Sequence, residues 1–197
     1  VYGIKRHIRY DSDRDNNFSD EIMAVPGCEN LDHCIQCGTC SGTCPLSIYM
    51  DLTPRKVINL TRAGFKDDVL SCHTIWLCSS CYACVCQCPR EIGITDIMYA
   101  LKQRAMREGK YPKGMPTPVL ARVFYNTVSN RGRISEIRLV ISFLGRAHWQ
   151  RLIGMWKIGL NLMSSKRFSL KAERMDRPGE LQSVLSVINS PNGGVRK

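Results

Sequence analysis

The chain has 197 residues, 44% of them hydrophobic, and a formal net charge of +11, which fits a folded protein of one or two domains and excludes wholesale disorder and a membrane bundle. Eleven cysteines in that length leave two uses, disulfides in an oxidising compartment or metal ligands in a reducing one. The charge is unevenly divided: residues 1–100 hold nine Lys or Arg against twelve Asp or Glu, and residues 101–197 nineteen against five, so the second half suits nucleic acid, anionic lipid or an acidic protein partner.

The start, Val1 to Tyr10, carries Lys5, Arg6 and Arg9 and no apolar core of signal-peptide length, so a cytoplasmic location is expected, which favours metal ligation over disulfides. Residues 1–27 read as an amino-terminal extension before a cofactor domain at 28–110. Within it Cys34, Cys37, Cys40 and Cys44 are spaced C-x2-C-x2-C-x3-C and followed by Pro45; Cys78, Cys81, Cys84 and Cys88 repeat the pattern before Pro89. The short steps let three thiolates converge on three irons of one cubane, while the fourth, before proline, is turned away. Structural zinc also takes four thiolates, but normally as two C-x2-C pairs from separate loops, which neither run matches. Two such runs predict two [4Fe-4S] clusters.

The spacing resembles that of two-cluster ferredoxins, in which the fourth cysteine of each run ligates the other cluster. Carried onto this sequence, that arrangement puts Cys34, Cys37, Cys40 and Cys88 on cluster 1 and Cys78, Cys81, Cys84 and Cys44 on cluster 2, making the clusters close neighbours suited to one-electron hops. Cys28, Cys72 and Cys86 are left over. Cys86 lies where it could replace a ligand, although Pro89 and the match to the first run favour Cys88; free cysteines otherwise pack as small hydrophobes.

Between the runs, Thr53-Pro54 opens a helix, Thr at the N-cap and Pro at the first helical position, with Val57, Ile58, Leu60 and Phe65 as its apolar side and Gly64 at its end. After the second run, Thr95 is the expected N-cap of a helix in which Ile97, Met98, Leu101 and Ala105 recur at helical spacing until Gly109. No alternating β-branched run flanks either motif, so an all-α fold is expected: an alpha-helical ferredoxin domain with a helical carboxy-terminal extension. Pro112, Gly114, Pro116 and Pro118 mark a linker into a basic helical docking region at 111–189. There Pro118 to Val128 reads as helix, Ile134, Ile137, Val140, Ile141 and Leu144 form an apolar face, and Trp149 to Met163 a further helix. Residues 190–197 read as a loose tail. Arg138, Arg146, Arg151 and Lys157 interrupt the apolar stretches, so none reaches the roughly 18–20 residues of a membrane span. Leu139 to Met163 fits docking on a neighbouring protein better than lying on a membrane surface.

Beyond the spacing, CIQCGTCSGTCP at Cys34 to Pro45, TPRKVINLTRAGF, and IWLCSSCYACVCQCPREIGITDIMYALKQRA at Ile75 to Ala105 resemble the C subunit of heterodisulfide reductase, the small ferredoxin-like component of a soluble complex in methanogens. Cys86 is an extra cysteine relative to that pattern. The resemblance implies a wire with no catalytic residue of its own. It would take electrons from the flavin-containing A subunit to the catalytic B subunit, which reduces the mixed disulfide of coenzyme M and coenzyme B, with hydrogenase or formate dehydrogenase feeding the assembly. His7, His33, His73 and His148 are dispersed and form no metal-binding pair; His33 and His73, each beside a cysteine, are candidates for tuning a cluster through hydrogen bonds to sulfur, or are ordinary surface or packing residues. The basic half offsets cluster charge or docks on acidic neighbouring subunits, and no helix-turn-helix or finger motif supports nucleic acid. The alternative within the same chemistry is the relay component of a flavin dehydrogenase of the succinate, glycolate or glycerol-3-phosphate type; a free ferredoxin is a third reading.

Overall fold

Helices joined by tight turns account for the regular structure of the described residues, and no strand occurs among them. The structure is a computed structural model that describes residues 9–112, 114–134 and 178–188 together with positions 139, 161, 164, 165 and 175. The chain divides into two units, Val1–Met115 and Pro116–Lys197.

In the first unit, α1 (Phe18–Met23) places Phe18 and Ile22 one turn apart on one face, and both are buried. The segment read as an extension therefore contributes to the core from Phe18 onward. It is tied down further by Asp15, whose N–H donates to the Gly64 carbonyl at 2.9 Å. Next come α2 (Thr39–Thr43) and α3 (Pro54–Arg62). As expected, α3 starts with Thr53 at the N-cap and Pro54 in the first turn, and it buries Val57, Ile58 and Leu60. Three short helices follow, α4 (Lys66–Leu70), α5 (Thr74–Leu77) and α6 (Ala83–Cys86), then the long α7 (Ile94–Glu108).

Helix α7 buries Ile97, Met98, Leu101 and Ala105 and stops at Gly109, which takes the left-handed conformation that glycine tolerates best. Its N-cap is Gly93 rather than Thr95. The reason is steric and chemical. A Cβ at position 93 would stand 2.2 Å from the Gly27 carbonyl oxygen, so only glycine fits there, and Thr95 is drawn inside the first turn, where it is buried with its hydroxyl 4.0 Å from Cys84 Sγ.

Leu31, Val57, Ile58, Val69, Leu70, Ile75, Ile97 and Leu101 make up much of the core, and burying each such side chain contributes about 1.5–3 kcal/mol. An ionic network clasps the outside of that core. Glu108 Oε1 accepts from Lys66 Nζ at 2.8 Å and Arg104 Nε at 2.6 Å, and Arg104 Nη2 reaches Glu21 Oε2 at 2.8 Å, so α1, α4 and α7 are joined through charged hydrogen bonds.

In the second unit, α8 (Pro116–Arg131) contains the expected helix and starts two residues earlier. Pro116 and Pro118 both fall in its first turn, where backbone N–H groups have no helical partner to lose. The second described helix there, α9 (Pro178–Ile188), packs against α8 and is not anticipated from the sequence. Ile137, Val140, Ile141 and Leu144, the segment from Trp149 to Met163 except Asn161, and the 190–197 tail lie outside the described residues. Among the described residues, no helix is long and apolar enough to cross a membrane.

Candidate iron-sulfur site

The two cysteine runs fold the same way. In the first, Gln36 and Gly38 have φ of +58° and +86°; in the second, Ser80 and Tyr82 occupy the same two places with φ of +57° and +59°. These left-handed residues bracket the second cysteine of each run and turn the chain sharply. A short helix then starts, α2 after Gly38 and α6 after Tyr82, carrying the third cysteine. Glycine adopts this conformation freely, but the non-glycine residues each give up about 1–2 kcal/mol to hold it. Such strain persists where the surroundings over-determine it, typically at a functional site.

Helices α2 and α6 pack against each other, so the two runs meet. Two hollows of similar size, about 370 and 410 Å³ counted with the solvent at their mouths, open beside them. The first is lined by Cys34, Cys37 and Cys40 of the first run and Cys88 of the second. The second is lined by Cys78, Cys81 and Cys84 together with Cys44. Each hollow thus gathers three cysteines of one run and the fourth of the other. Cys40 lies within electrostatic reach of Cys84, and Cys84 of Cys44, so the two hollows are neighbours.

Cys28, Cys72 and Cys86 line neither hollow. Cys28 and Cys72 are 1% and 4% exposed within the hydrophobic core, and burial pushes each thiol up to about 11. Cys86 is exposed on α6.

The sulfurs are surrounded by polar groups that sequence reasoning missed. Gln36 Nε2 donates to Cys34 Sγ at 3.3 Å, and Thr39 Oγ1 lies 3.4 Å from Cys37 Sγ. The Thr39 hydroxyl, aided by backbone N–H groups of residues 37–39, pulls the Cys37 thiol below its ordinary value. Burial pushes Cys40 and Cys84 up, and neighbouring cysteines add to the shift; a metal reverses such shifts, because a coordinating thiol is deprotonated outright. His33 and His73 line neither hollow; the His33 carbonyl accepts from Arg90 Nε at 3.3 Å, and His73 Nδ1 sits 3.6 Å from an Asp51 oxygen. The signal for the true sulfur partners was their position inside the runs, at x2 of the first C-x2-C and next but one after Cys37.

Asp51 ties the segment after the first run to the helix that precedes the second. Its carboxylate accepts from the N–H groups of His73 at 2.8 Å and Thr74 at 3.0 Å and from the Thr74 hydroxyl at 2.7 Å. It thereby caps α5, the helix that delivers Cys78. Burial alone would push this carboxyl up, but the hydrogen bonds outweigh it and hold the group below the usual carboxylate range.

Among the described residues, no three His, Cys, Asp or Glu side chains come together closely enough to hold a single metal ion. A cubane makes a different demand. Each thiolate binds a separate iron, so the four ligands surround a body rather than a point, and four cysteines around a hollow with N–H and O–H groups facing the sulfurs fit it.

Residues 30–92 match the 4Fe-4S dicluster domain family, about a third of the chain and all of both runs. The chain is 37% identical over 95 residues to the C subunit of the H2:CoB-CoM heterodisulfide,ferredoxin reductase of Methanothermobacter marburgensis, covering 48% of this chain and 51% of that one. It is 40% identical over 93 residues to the C subunit of the ferredoxin/F420H2-dependent CoB-CoM heterodisulfide reductase of Methanosarcina acetivorans, covering 46% and 57%. Over this stretch the chain is similar to the C subunit of heterodisulfide reductase. The chain spans about half the length of the curated relatives it matches. The role carried by this half is iron-sulfur electron transfer, in keeping with the [4Fe-4S] domain present and with relatives that are subunits of larger reductases.

Proposed function

We propose that this protein is the electron-relay subunit of a cytoplasmic heterodisulfide reductase complex, with two [4Fe-4S] clusters held by Cys34, Cys37, Cys40 and Cys88 and by Cys78, Cys81, Cys84 and Cys44. The observation that carries this reading is the pair of adjacent hollows, each lined by three cysteines of one run and one of the other. When bound, each cluster accepts and passes on one electron at a time. The chain's own residues hold the two groups side by side, exclude water with Ile58, Ile92, Ile94 and Met98 at the hollows, and direct hydrogen bonds at sulfur.

The donor in this reading is the flavin-containing A subunit of such a complex, and the recipient is its catalytic B subunit. There the disulfide of coenzyme M and coenzyme B takes up two electrons and two protons to give two thiols, a demand that single-electron carriers meet by delivering twice. Partner docking is supported by large apolar side chains left at the surface next to the hollows: Ile35 and Tyr82, which line them, and Ile48 and Tyr49, which follow Cys44. Anaerobic purification from native cells, with co-eluting chains identified by mass spectrometry and iron counted per copy, tests the assignment. About eight irons with a flavoprotein and a cysteine-rich protein in the same peak support it. Elution with a succinate-, glycolate- or glycerol-3-phosphate-type flavin dehydrogenase, or alone, transfers the relay to another assembly.

A further inference from the structure

We infer that the two hollows are built for unequal reduction potentials, the one lined by Cys34, Cys37, Cys40 and Cys88 being the higher, with Arg55, Arg90, Gln36 and Thr39 as the residues that raise it. The inference rests on the cluster assignment above and concerns the direction of flow within it. A cubane with four thiolates carries about −2 when oxidised and one more negative charge when reduced. Cations and hydrogen-bond donors close to its sulfurs therefore stabilise the reduced form more than the oxidised one and raise the potential.

The surroundings of the two hollows differ in both respects. Arg55 and Arg90 line the first hollow, and Arg62, itself 3.7 Å from Asp32, donates to the Cys34 carbonyl at 2.7 Å. The described residues lining the second include no Lys or Arg; Leu46, Met50, Tyr82, Ile94 and Met98 form much of its wall. On that side Lys102 donates to the Cys78 carbonyl at 3.1 Å while its ammonium lies 5.0 Å over the Tyr99 ring. Side-chain donors to sulfur are divided in the same sense. Gln36 and Thr39 approach Cys34 and Cys37 at 3.3 and 3.4 Å, whereas Thr95 stands 4.0 Å from Cys84. An electron delivered to the second hollow by a reduced flavoprotein thus moves to the first, with no bond made or broken and no proton taken up. The donor then belongs on the side of Cys81 and the acceptor on the side of Cys37, both of which are exposed.

The test is an anaerobic potentiometric titration of the native assembly, followed by electron paramagnetic resonance, for wild type, Arg90→Gln, Arg90→Lys and Thr39→Ala. Arg90 is exposed, so water screens part of its effect. The wild type is expected to show two separate midpoints. Arg90→Gln lowers the higher one by up to about tenfold in the reduced-to-oxidised ratio, ~59 mV for a one-electron couple, and leaves the lower one in place. Arg90→Lys restores the wild-type value, and Thr39→Ala shifts the same midpoint in the same direction without touching the charge. Coincident midpoints, or substitutions that move the lower midpoint or neither, overturn the assigned polarity while leaving the relay intact. Fewer than two reducible clusters in the wild type overturns the relay and the polarity together.

Discussion

Gly64 closes α3 at φ +80°, and a Cβ added there would stand 2.6 Å from the Asp15 carbonyl oxygen. Gly64→Ala therefore combines two penalties: about 1–2 kcal/mol for a left-handed alanine, and an overpacking term of about 1–3 kcal/mol, because the atom struck is backbone and cannot swing away. Gly109 separates them. It has φ +68° with nothing within 4 Å of its added Cβ, so Gly109→Ala carries the backbone penalty alone, reduced by about 0.4–1 kcal/mol through the lower entropy of the unfolded chain. With the same entropic offset at both positions, the expected losses are about 1–4.6 kcal/mol for Gly64→Ala and about 0–1.6 kcal/mol for Gly109→Ala. An anaerobic thermal ramp that follows loss of the cluster absorption compares them, at about 2–4 °C per kcal/mol for a chain of this size. Equal shifts, or a larger one for Gly109→Ala, would show that the close approach of Asp15 does not secure the amino-terminal segment.

Cys88→Ser is expected to deplete iron and to change the spectrum of the cluster otherwise held by the first run, whereas Cys86→Ser keeps about eight irons; the opposite pattern in an iron and sulfide assay removes the ligand assignment. Burial pushes the Glu108 carboxyl up, but the hydrogen bonds from Lys66 and Arg104 outweigh it and hold the group below its usual range. Its contribution is thus complete above the unfolded-state value of about 4.3 and is lost as pH falls through the lower folded value. Glu108→Gln should cost about 1–2 kcal/mol at neutral pH and converge on wild type in strong acid; circular dichroism read as a difference between the two proteins cancels acid attack on the clusters, and a gap that persists at low pH contradicts the reasoning. Asp51→Ala removes the cap of α5 and should cost about 1–2 kcal/mol. It should also quicken one phase of iron loss to a chelator, and unchanged release kinetics would detach Asp51 from the placement of Cys78.

Much of this was legible in the residues themselves. The step of three between cysteines and the proline after the fourth point to a cubane, and Thr53-Pro54 opens α3 where expected because N-cap and first-turn preferences act within a few residues. Long-range effects were not legible. Gln36, Ser80 and Tyr82 adopt a conformation their own preferences disfavour, since the packing of α2 on α6 dictates the turn. Thr95 has the residue type of an α7 cap but is buried inside the first turn, because Gly93 alone tolerates the approach of Gly27. Phe18 and Ile22 look like part of an extension and are core, which only the contact between distant segments decides. Helix α9 did carry local signals, Pro178 in its first turn and Leu181, Val184, Leu185 and Ile188 at helical intervals, although no helix was expected there.

The exchange of a fourth cysteine between the runs bears on how the chain is made. A nascent chain released as far as Cys44 already presents all four thiols of the first run, yet three of them border one hollow and the fourth borders the other. Neither hollow is complete until Cys84 and then Cys88 have left the ribosome, so iron delivered earlier meets only partial sites. On the proposed ligand assignment, loading waits until the whole of α3 to α6 has emerged. A chain truncated between the runs lacks both finished hollows.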